Sequence, residues 1–374
     1  MRKAVYIFFT IVIVLVIGTY LFLQQETFGA KPSGKRLELI KKSKNYRDGK
    51  FQNSSPTPTL TEGYSYTSVF YNFFFKSSKN QSPKDSIPSV KTDLKALPPQ
   101  ANVLIWFGHS SYLMQVEGKT FLVDPVLSGY ASPIKMMNKA FIGTTKYQVE
   151  DLPAIDYLLI SHDHYDHLDF ETIKKLQPKV GQVICPLGVG AHFEKWGYPA
   201  AHIIEKDWGD AIDLANQIRI YLTPARHFSG RGLSANNTLW TSYVLETPLR
   251  KIFIGGDSGY DKHFAAIGEK FGSFDLAILE NGQYNEAWSY IHTLPEEFFK
   301  VAKDLKAKRV LPVHAGKFNL GGHAWDEPYK KLAVYNTNHL PLVTPIIGEI
   351  VDLDNDKQVF SNWWEAIAAH KEAN

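Results

Sequence analysis

Thiols are almost absent from this chain. Cys185 is the only cysteine in 374 residues, so no internal disulfide can form, and its setting, Val183-Ile184-Cys185, reads as core. An excess of charge of one sign is also missing. The formal net charge of +3 is small for this length and makes no global electrostatic case for nucleic acid. No Gly-x-Ser-x-Gly elbow offers a serine nucleophile, and no repeat with a period of roughly 20 to 50 residues suggests a solenoid. What is present is the composition of a globular protein, 44% hydrophobic and 21% charged, long enough for one large α/β domain plus appendages.

One stretch departs from that ordinary composition. Ser161-His162-Asp163-His164-Tyr165-Asp166-His167-Leu168-Asp169 places three imidazoles and three carboxylates in nine residues. The apolar run 155–160 before it has the length of a buried strand, and 170–176 after it reads as a helix capped by Asp169. Crowding so many ionisable groups on one strand-to-helix loop is costly unless a cation compensates. In extended backbone, residues two apart point the same way, so His162 and His164 can grip one ion. The turn that follows sends Asp166 and His167 toward a second.

Further donors follow other strand patterns. Residues 218–223 lead to Pro224-Ala225-Arg226-His227, 251–254 to Gly255-Gly256-Asp257, and 309–313 to His314. Each donor lies just past the carboxyl end of a strand, where open sheets place their sites. The reading is His162, His164 and His227 on a first metal and Asp166, His167 and His314 on a second. Asp257 bridges the two and is assigned to catalysis.

His162-x-His164-x-Asp166-His167, with a later His, Asp and His in that order, resembles the metallo-β-lactamase fold superfamily of dinuclear zinc hydrolases. Trp106-Phe107-Gly108-His109-Ser110-Ser111, Leu122-Val123-Asp124-Pro125 and Pro224-Ala225-Arg226-His227 narrow it further. So do Gly256-Asp257-Ser258-Gly259-Tyr260, His292-Thr293-Leu294-Pro295-Glu296-Glu297 and Pro312-Val313-His314-Ala315-Gly316-Lys317-Phe318. Together these words are similar to those of the N-acylphosphatidylethanolamine-hydrolysing phospholipase D branch and its bacterial relatives, over residues 101–352. The resemblance implies an α/β fold, a four-layer αββα sandwich over residues 101–353, with a terminal helix in 354–374. It implies that Asp124 accepts the free ring N–H of a ligating histidine, with His109 in similar work. It also implies that His292 faces the pocket, where it is assigned to catalysis. His192 and His202 match no ligand word and read as ordinary, whereas Arg231, in the glycine-bearing loop after His227, is placed to meet an anionic substrate. Thr293 is read as the cap of a helix over 295–305.

At the amino terminus, Arg2 and Lys3 precede residues 4–23, an uncharged run long enough to span a bilayer. Within residues 1–30 an anchor is favoured over a signal peptide, because Phe28-Gly29-Ala30 puts a bulky residue where cleavage wants a small one. Arg2 and Lys3 favour a cytoplasmic start and an extracytoplasmic domain, against the pull of Lys31, Lys35, Arg36, Lys41 and Lys42 on the other flank. An extension over 31–100 follows. Its basic segment 31–50 reads as a solvated spacer, with attraction to anionic headgroups as the sharper alternative. Residues 53–61 read as a Ser/Thr/Pro-rich linker, and the aromatic run 69–75 as packing against the catalytic domain or as a lip toward lipid.

Histidines and carboxylates without thiolate suit two zinc ions, with iron or manganese as alternatives. A water shared by two such cations is acidified toward a pKa of roughly 7, so the reading is hydrolysis by a bridging hydroxide. The resemblance, the anchor and the basic flank agree on a membrane lipid as substrate, its headgroup phosphodiester split into phosphatidic acid and an amide alcohol. No nucleic acid is expected as partner, and nothing in the sequence sets an oligomeric state. A lactonase or other carbonyl-ester hydrolase of the same fold is the alternative enzyme. A metal-binding, non-catalytic membrane sensor is the alternative of another class.

Overall fold

The computed structural model describes residues 2–75 and 79–369. Helix α1 (Arg2–Leu23) has no buried residue and is long and apolar enough to cross a membrane. Helix α2 (Gly34–Ile40), the short hairpin β1 (Tyr46–Arg47) and β2 (Lys50–Phe51), and helix α3 (Tyr66–Phe75) follow. The body opens with an antiparallel meander, β3 (Val103–Trp106), β4 (Tyr112–Val116) and β5 (Lys119–Val123). It continues in parallel through β6 (Ile155–Leu159), helix α4 (Phe170–Leu176), β7 (Val180–Pro186), helix α5 (Gly190–Lys195) and β8 (Ile203–Lys206). A second sheet holds β9 (Ala211–Asp213), β10 (Arg219–Thr223), β11 (Ser242–Glu246) and β12 (Lys251–Ile254), antiparallel to one another. Helix α6 (His263–Phe271), β13 (Leu276–Glu280), helix α7 (Phe298–Asp304) and β14 (Val310–Val313) extend it in parallel. Helix α8 (Glu327–Tyr335), β15 (Ile350–Asp352) and helix α9 (Trp363–Ala369) complete the described chain. The strand orders are β15-β3-β4-β5-β6-β7-β8 and β14-β13-β12-β11-β10-β9.

Period-two alternation sorts the apolar side chains into layers. Leu104, Trp106, Met114, Phe121, Leu159 and Ile184 join the core shared with Ile220, Leu222 and Tyr243 of the second sheet. The Tyr243 hydroxyl crosses the gap and donates to Ile160 O at 2.5 Å. The intervening residues Ile105, Leu113, Leu122, Leu158, Val183 and Cys185 form a separate core with Ile173 and Leu176 of α4 and Phe193 of α5. Helix α6 covers the second sheet, with the rings of Phe264 and Phe253 6.2 Å apart. The result is four layers, αββα, as the family resemblance implied.

Two details differ from the sequence reading. Helix α7 begins at Phe298, because the Thr293 hydroxyl donates to Ser258 O (2.7 Å) instead of capping and Leu294 N is taken by the Glu297 carboxylate (3.1 Å). The basic segment is no solvated spacer. Ile40 and Phe51 are fully buried beside Leu187, Leu239 and Trp240, and Arg36 is paired with Glu194 and Glu205. On helix α3, Tyr66, Phe70, Tyr71 and Phe75 are exposed and Val69 is half-buried, while the side chains of Phe73 and Phe74 from the aromatic run lie outside what is described. The end of the expected terminal helix, 370–374, lies outside the described residues.

Candidate metal centre

Strand β6 delivers the His/Asp loop, and Asp124, just past the neighbouring β5, pins its start. Asp124 Oδ1 accepts from Ser161 N (2.8 Å) and its Oδ2 from Ser161 Oγ (2.6 Å). The loop turns after His164, with His167 N and Leu168 N both donating to His164 O. His162 Nε2 and His227 Nε2 lie 2.9 and 3.2 Å from His164 Nδ1, so three ring nitrogens face one point. Their outer nitrogens are engaged. His227 Nδ1 donates to Ile291 O (2.8 Å), and His162 Nδ1 donates to Ser161 Oγ, whose own proton goes to Asp124. Burial, and then the surrounding imidazoles, push His162 well below the usual histidine range; burial likewise lowers His227. Neutral rings with inward lone pairs are the form in which histidine binds a cation.

A second group adjoins the first. Asp166 Oδ2 is 2.9 Å from His109 Nε2, 3.6 Å from His167 Nε2 and 3.9 Å from His314 Nε2. Asp257 Oδ2 lies 3.2 Å from His167 Nε2, and 3.8 and 3.7 Å from the Nε2 atoms of His162 and His227. It therefore stands between the groups. Asp257 reaches that place because Gly256 (φ +59°) lets β12's end press on the loop; a Cβ there would sit 2.8 Å from Ser161 Cβ. Burial opposes charge on Asp257, yet His167 and His314 hold its carboxyl well below the usual carboxylate range. Two buried atoms, His167 Nε2 and Asp257 Oδ1, make no hydrogen bond among the described residues. Orphaned acceptors in so dense a donor set fit metal ions, and on this observation the residues present suit them.

The supports come from neighbouring strand ends. Asp124 Oδ2 accepts from His167 Nδ1 (2.8 Å), which leaves Nε2 for the cluster, and Ser110 Oγ lies 3.0 Å from His314 Nδ1. His292 is within reach as well, its ring 5.0 Å from that of His227 and 5.4 Å from that of His314. Its Nδ1 is 2.6 Å from Glu280 Oε2, and Glu280 Oε1 accepts from Ser258 N and Thr293 N. Burial pushes the Glu280 carboxyl up to about 7 against the pull of His292. Sequence reasoning passed over Glu280, although it too ends an apolar strand. It also passed over Asn53, in the supposed linker, which accepts from His227 N (3.1 Å) and donates to His227 O (2.7 Å).

Arg231 does not face the cluster, so its expected role toward an anionic substrate falls. Its guanidinium donates to Thr27 O, Asp163 O and Leu168 O and lies over the Tyr165 ring at 4.1 Å, leaving its charge spent on the back of the loop. His192, read as ordinary, sits there as well, with Nε2 3.1 Å from Asp163 Oδ2.

Known proteins resemble this arrangement. Residues 119–315 match the family model of the beta-lactamase superfamily domain. An uncharacterised protein of Mycobacterium tuberculosis is 36% identical over 335 residues, covering 87% of this chain and 88% of that one. N-acyl-phosphatidylethanolamine-hydrolyzing phospholipase D 1 of Caenorhabditis elegans is 31% identical over 312 residues, covering 74% and 86%. Among solved structures, a metallo hydrolase from the archaeon Ignicoccus hospitalis superposes with a TM-score of 0.53 at 21% identity, over 67% of this chain and 97% of its own.

Proposed function

Because the chain belongs to the metallo-β-lactamase superfamily and is a metal-dependent hydrolase, we propose that it is a dinuclear zinc phosphodiesterase. Its substrates are N-acylphosphatidylethanolamine-like lipids, split into phosphatidic acid and an amide alcohol. The observation that carries this reading is the place of Asp257 Oδ2, 3.2 Å from His167 Nε2 and 3.7 Å from His227 Nε2. A carboxylate so placed would be shared by the two donor groups. His162, His164 and His227 would hold one zinc, Asp166, His167 and His314 would hold the other, and Asp257 would contribute to both. The same oxygen and nitrogen donors accommodate iron or manganese.

When bound, the two cations acidify a shared water toward a pKa of roughly 7 and neutralise charge on the phosphoryl oxygens. The chain's own residues set the geometry. Asp124 and Ile291 O orient the rings of His167 and His227. His292, fixed on Glu280 through Nδ1, makes no hydrogen bond through Nε2 among the described residues. That nitrogen delivers a proton to the departing alcohol oxygen as the water oxygen bonds to phosphorus and the phosphorus–headgroup bond breaks.

Helix α1 anchors the chain as a single pass, with Arg2 and Lys3 supporting a cytoplasmic start and an extracytoplasmic hydrolase. The layout is anchor 1–30, extension 31–100, hydrolase 101–353 and terminal segment 354–374. Full-length protein in detergent is expected to carry two zinc ions and to release phosphatidic acid from N-acylated phosphatidylethanolamine, chelator abolishing release. Turnover of a generic lactone without the phosphodiester would move the reading to a carbonyl hydrolase. Zinc without any turnover would move it to a sensor.

A further inference from the structure

Just past α1 the chain folds down onto the body. Residues 23–32 and the loop 230–238 enclose a cavity of about 500 Å³ behind the metal loop, its wall including Leu23, Phe28, Lys31, Lys195, Arg231 and Leu233. Lys31 and Lys195 are exposed cations that pair with no carboxylate among the described residues, whereas the Arg231 guanidinium is already taken by backbone carbonyls. Lys31 Nζ donates one bond to Ser234 Oγ (2.9 Å) and Lys195 Nζ one to Gly29 O (2.6 Å). An ammonium carries three donors, so each has capacity left. The wall's carboxylate, Asp163, is already met by Gly230 N, Thr238 Oγ1 and His192 Nε2. Gln24, Ser234, Asn237 and Thr238 add neutral polar groups to the wall, and Leu23, Phe28 and Leu233 its apolar part. Leu233 is 84% exposed, and Phe28 packs on Phe22 in the last turn of α1, ring centroids 5.1 Å apart.

Position identifies the occupant. Where α1 crosses a bilayer, its 22 residues fill the hydrocarbon layer and bring Leu23 out at headgroup level. A cavity that starts there, with two lysines on its wall and Leu233 and Phe28 beside them, matches an anionic amphiphile. We propose that this cavity binds an anionic phospholipid of the leaflet in which α1 ends, its phosphate between Lys31 and Lys195 and its acyl chains along α1 past Leu233. The proposal rests on α1 spanning the membrane and not on the reaction at the metals. The same phosphate chemistry is offered by free phosphate, which the test separates.

Full-length protein is reconstituted in vesicles of phosphatidylcholine and phosphatidylglycerol and re-extracted, and the retained lipid is measured by mass spectrometry. The wild type is expected to retain phosphatidylglycerol preferentially, and Lys31→Ala with Lys195→Ala to lower that preference on the order of tenfold. Lys35→Ala with Lys42→Ala removes as much charge outside the cavity and should leave the preference in place. Equal loss in both double variants reduces the site to general attraction and overturns it. Preference that survives Lys31→Ala with Lys195→Ala also overturns it, as does thermal stabilisation by inorganic phosphate equal to that by phosphatidylglycerol vesicles. A protein that retains the lipid but splits no phosphodiester loses the proposed function and keeps this site. A protein washed from membranes by carbonate loses the anchor and the site together.

Discussion

The loop 161–168 has two faces with opposite demands. His162, His164 and Asp166 turn forward to the donor cluster, where His167 Nε2 and Asp257 Oδ1 are left without hydrogen bonds. Asp163 and Tyr165, between them in sequence, turn backward. There Asp163 accepts from Gly230 N (2.7 Å) and Thr238 Oγ1 (2.8 Å), and the Tyr165 hydroxyl donates to Arg231 O (2.5 Å). The front is under-satisfied and the back saturated. A buried acceptor without a partner costs about 1 to 3 kcal/mol, so a loop that holds one of them against another, on Asp257, collapses inward unless its far side is tied down. Front residues therefore decide chemistry, and back residues decide whether the front exists.

Two substitutions should split these roles most widely. Asp257→Ala removes the oxygen shared by the two donor groups. Turnover should vanish and zinc content fall below two per chain, with thermal stability nearly unchanged; residual turnover near the wild-type rate would end the bridging assignment. Asp163→Ala should do the reverse. It strands Gly230 N, Thr238 Oγ1 and His192, and breaking such a buried set costs about 3 to 5 kcal/mol, read as a large fall in Tm. Its pH signature is specific. Burial alone would raise the Asp163 carboxyl, but its bond to His192 and the charges of His192, His164 and Arg231 outweigh that and lower it below 3.8. A depressed folded value gives stability that is full above the unfolded pKa and is lost as pH falls through the folded one. The Tm gap between wild type and Asp163→Asn should thus be flat from about pH 5 to 8 and narrow below about pH 4. A gap that widens in acid would show that the charge is not what the back face uses.

The two faces were not equally legible. Every forward donor announces itself, because His162, His227, Asp257 and His314 each follow an apolar run and strand ends are where sheets gather their sites. The four-layer fold was legible only through the family resemblance of these strand-end words, and the structure adds the two cores to which alternating side chains of β3 and β4 go. The back face has no such signal. Arg231 meets Thr27 across 204 residues and Asp163 across 68, and nothing in either neighbourhood marks the meeting. An arginine beside glycines suggests an anion, whereas this one is consumed by three backbone carbonyls. Asn53 was hidden in the same way, inside a composition that usually means a linker. Glu280 was readable in principle, but its role appears only when His292, twelve residues on, returns to its carboxylate at 2.6 Å.

Between the extremes lies Asp124, which serves the front from behind. It fixes His167 Nδ1 and the start of the loop at Ser161 together. Asp124→Asn keeps the shape but turns one acceptor into a donor, and such changes beside metal ligands typically cost 10- to 100-fold in metal affinity. Competition with a zinc chelator should show a loss of about that size. Full affinity in the variant would make Asp124 a structural residue only.

The smallest effect should come from the outermost back contact, where the anchor's exit touches the loop. The Phe28 ring meets that of Tyr165 edge to face at 6.3 Å and that of Phe22 at 5.1 Å, and aromatic pairs of this kind are worth about 0.5 to 1.5 kcal/mol each. Phe28→Ala should lower Tm by a few degrees and leave zinc stoichiometry at two, because Arg231 and His192 still hold the loop. If it instead removes zinc as thoroughly as Asp257→Ala, the division between the faces fails, since a residue with no donor atom would then be as necessary to the metals as the carboxylate between them.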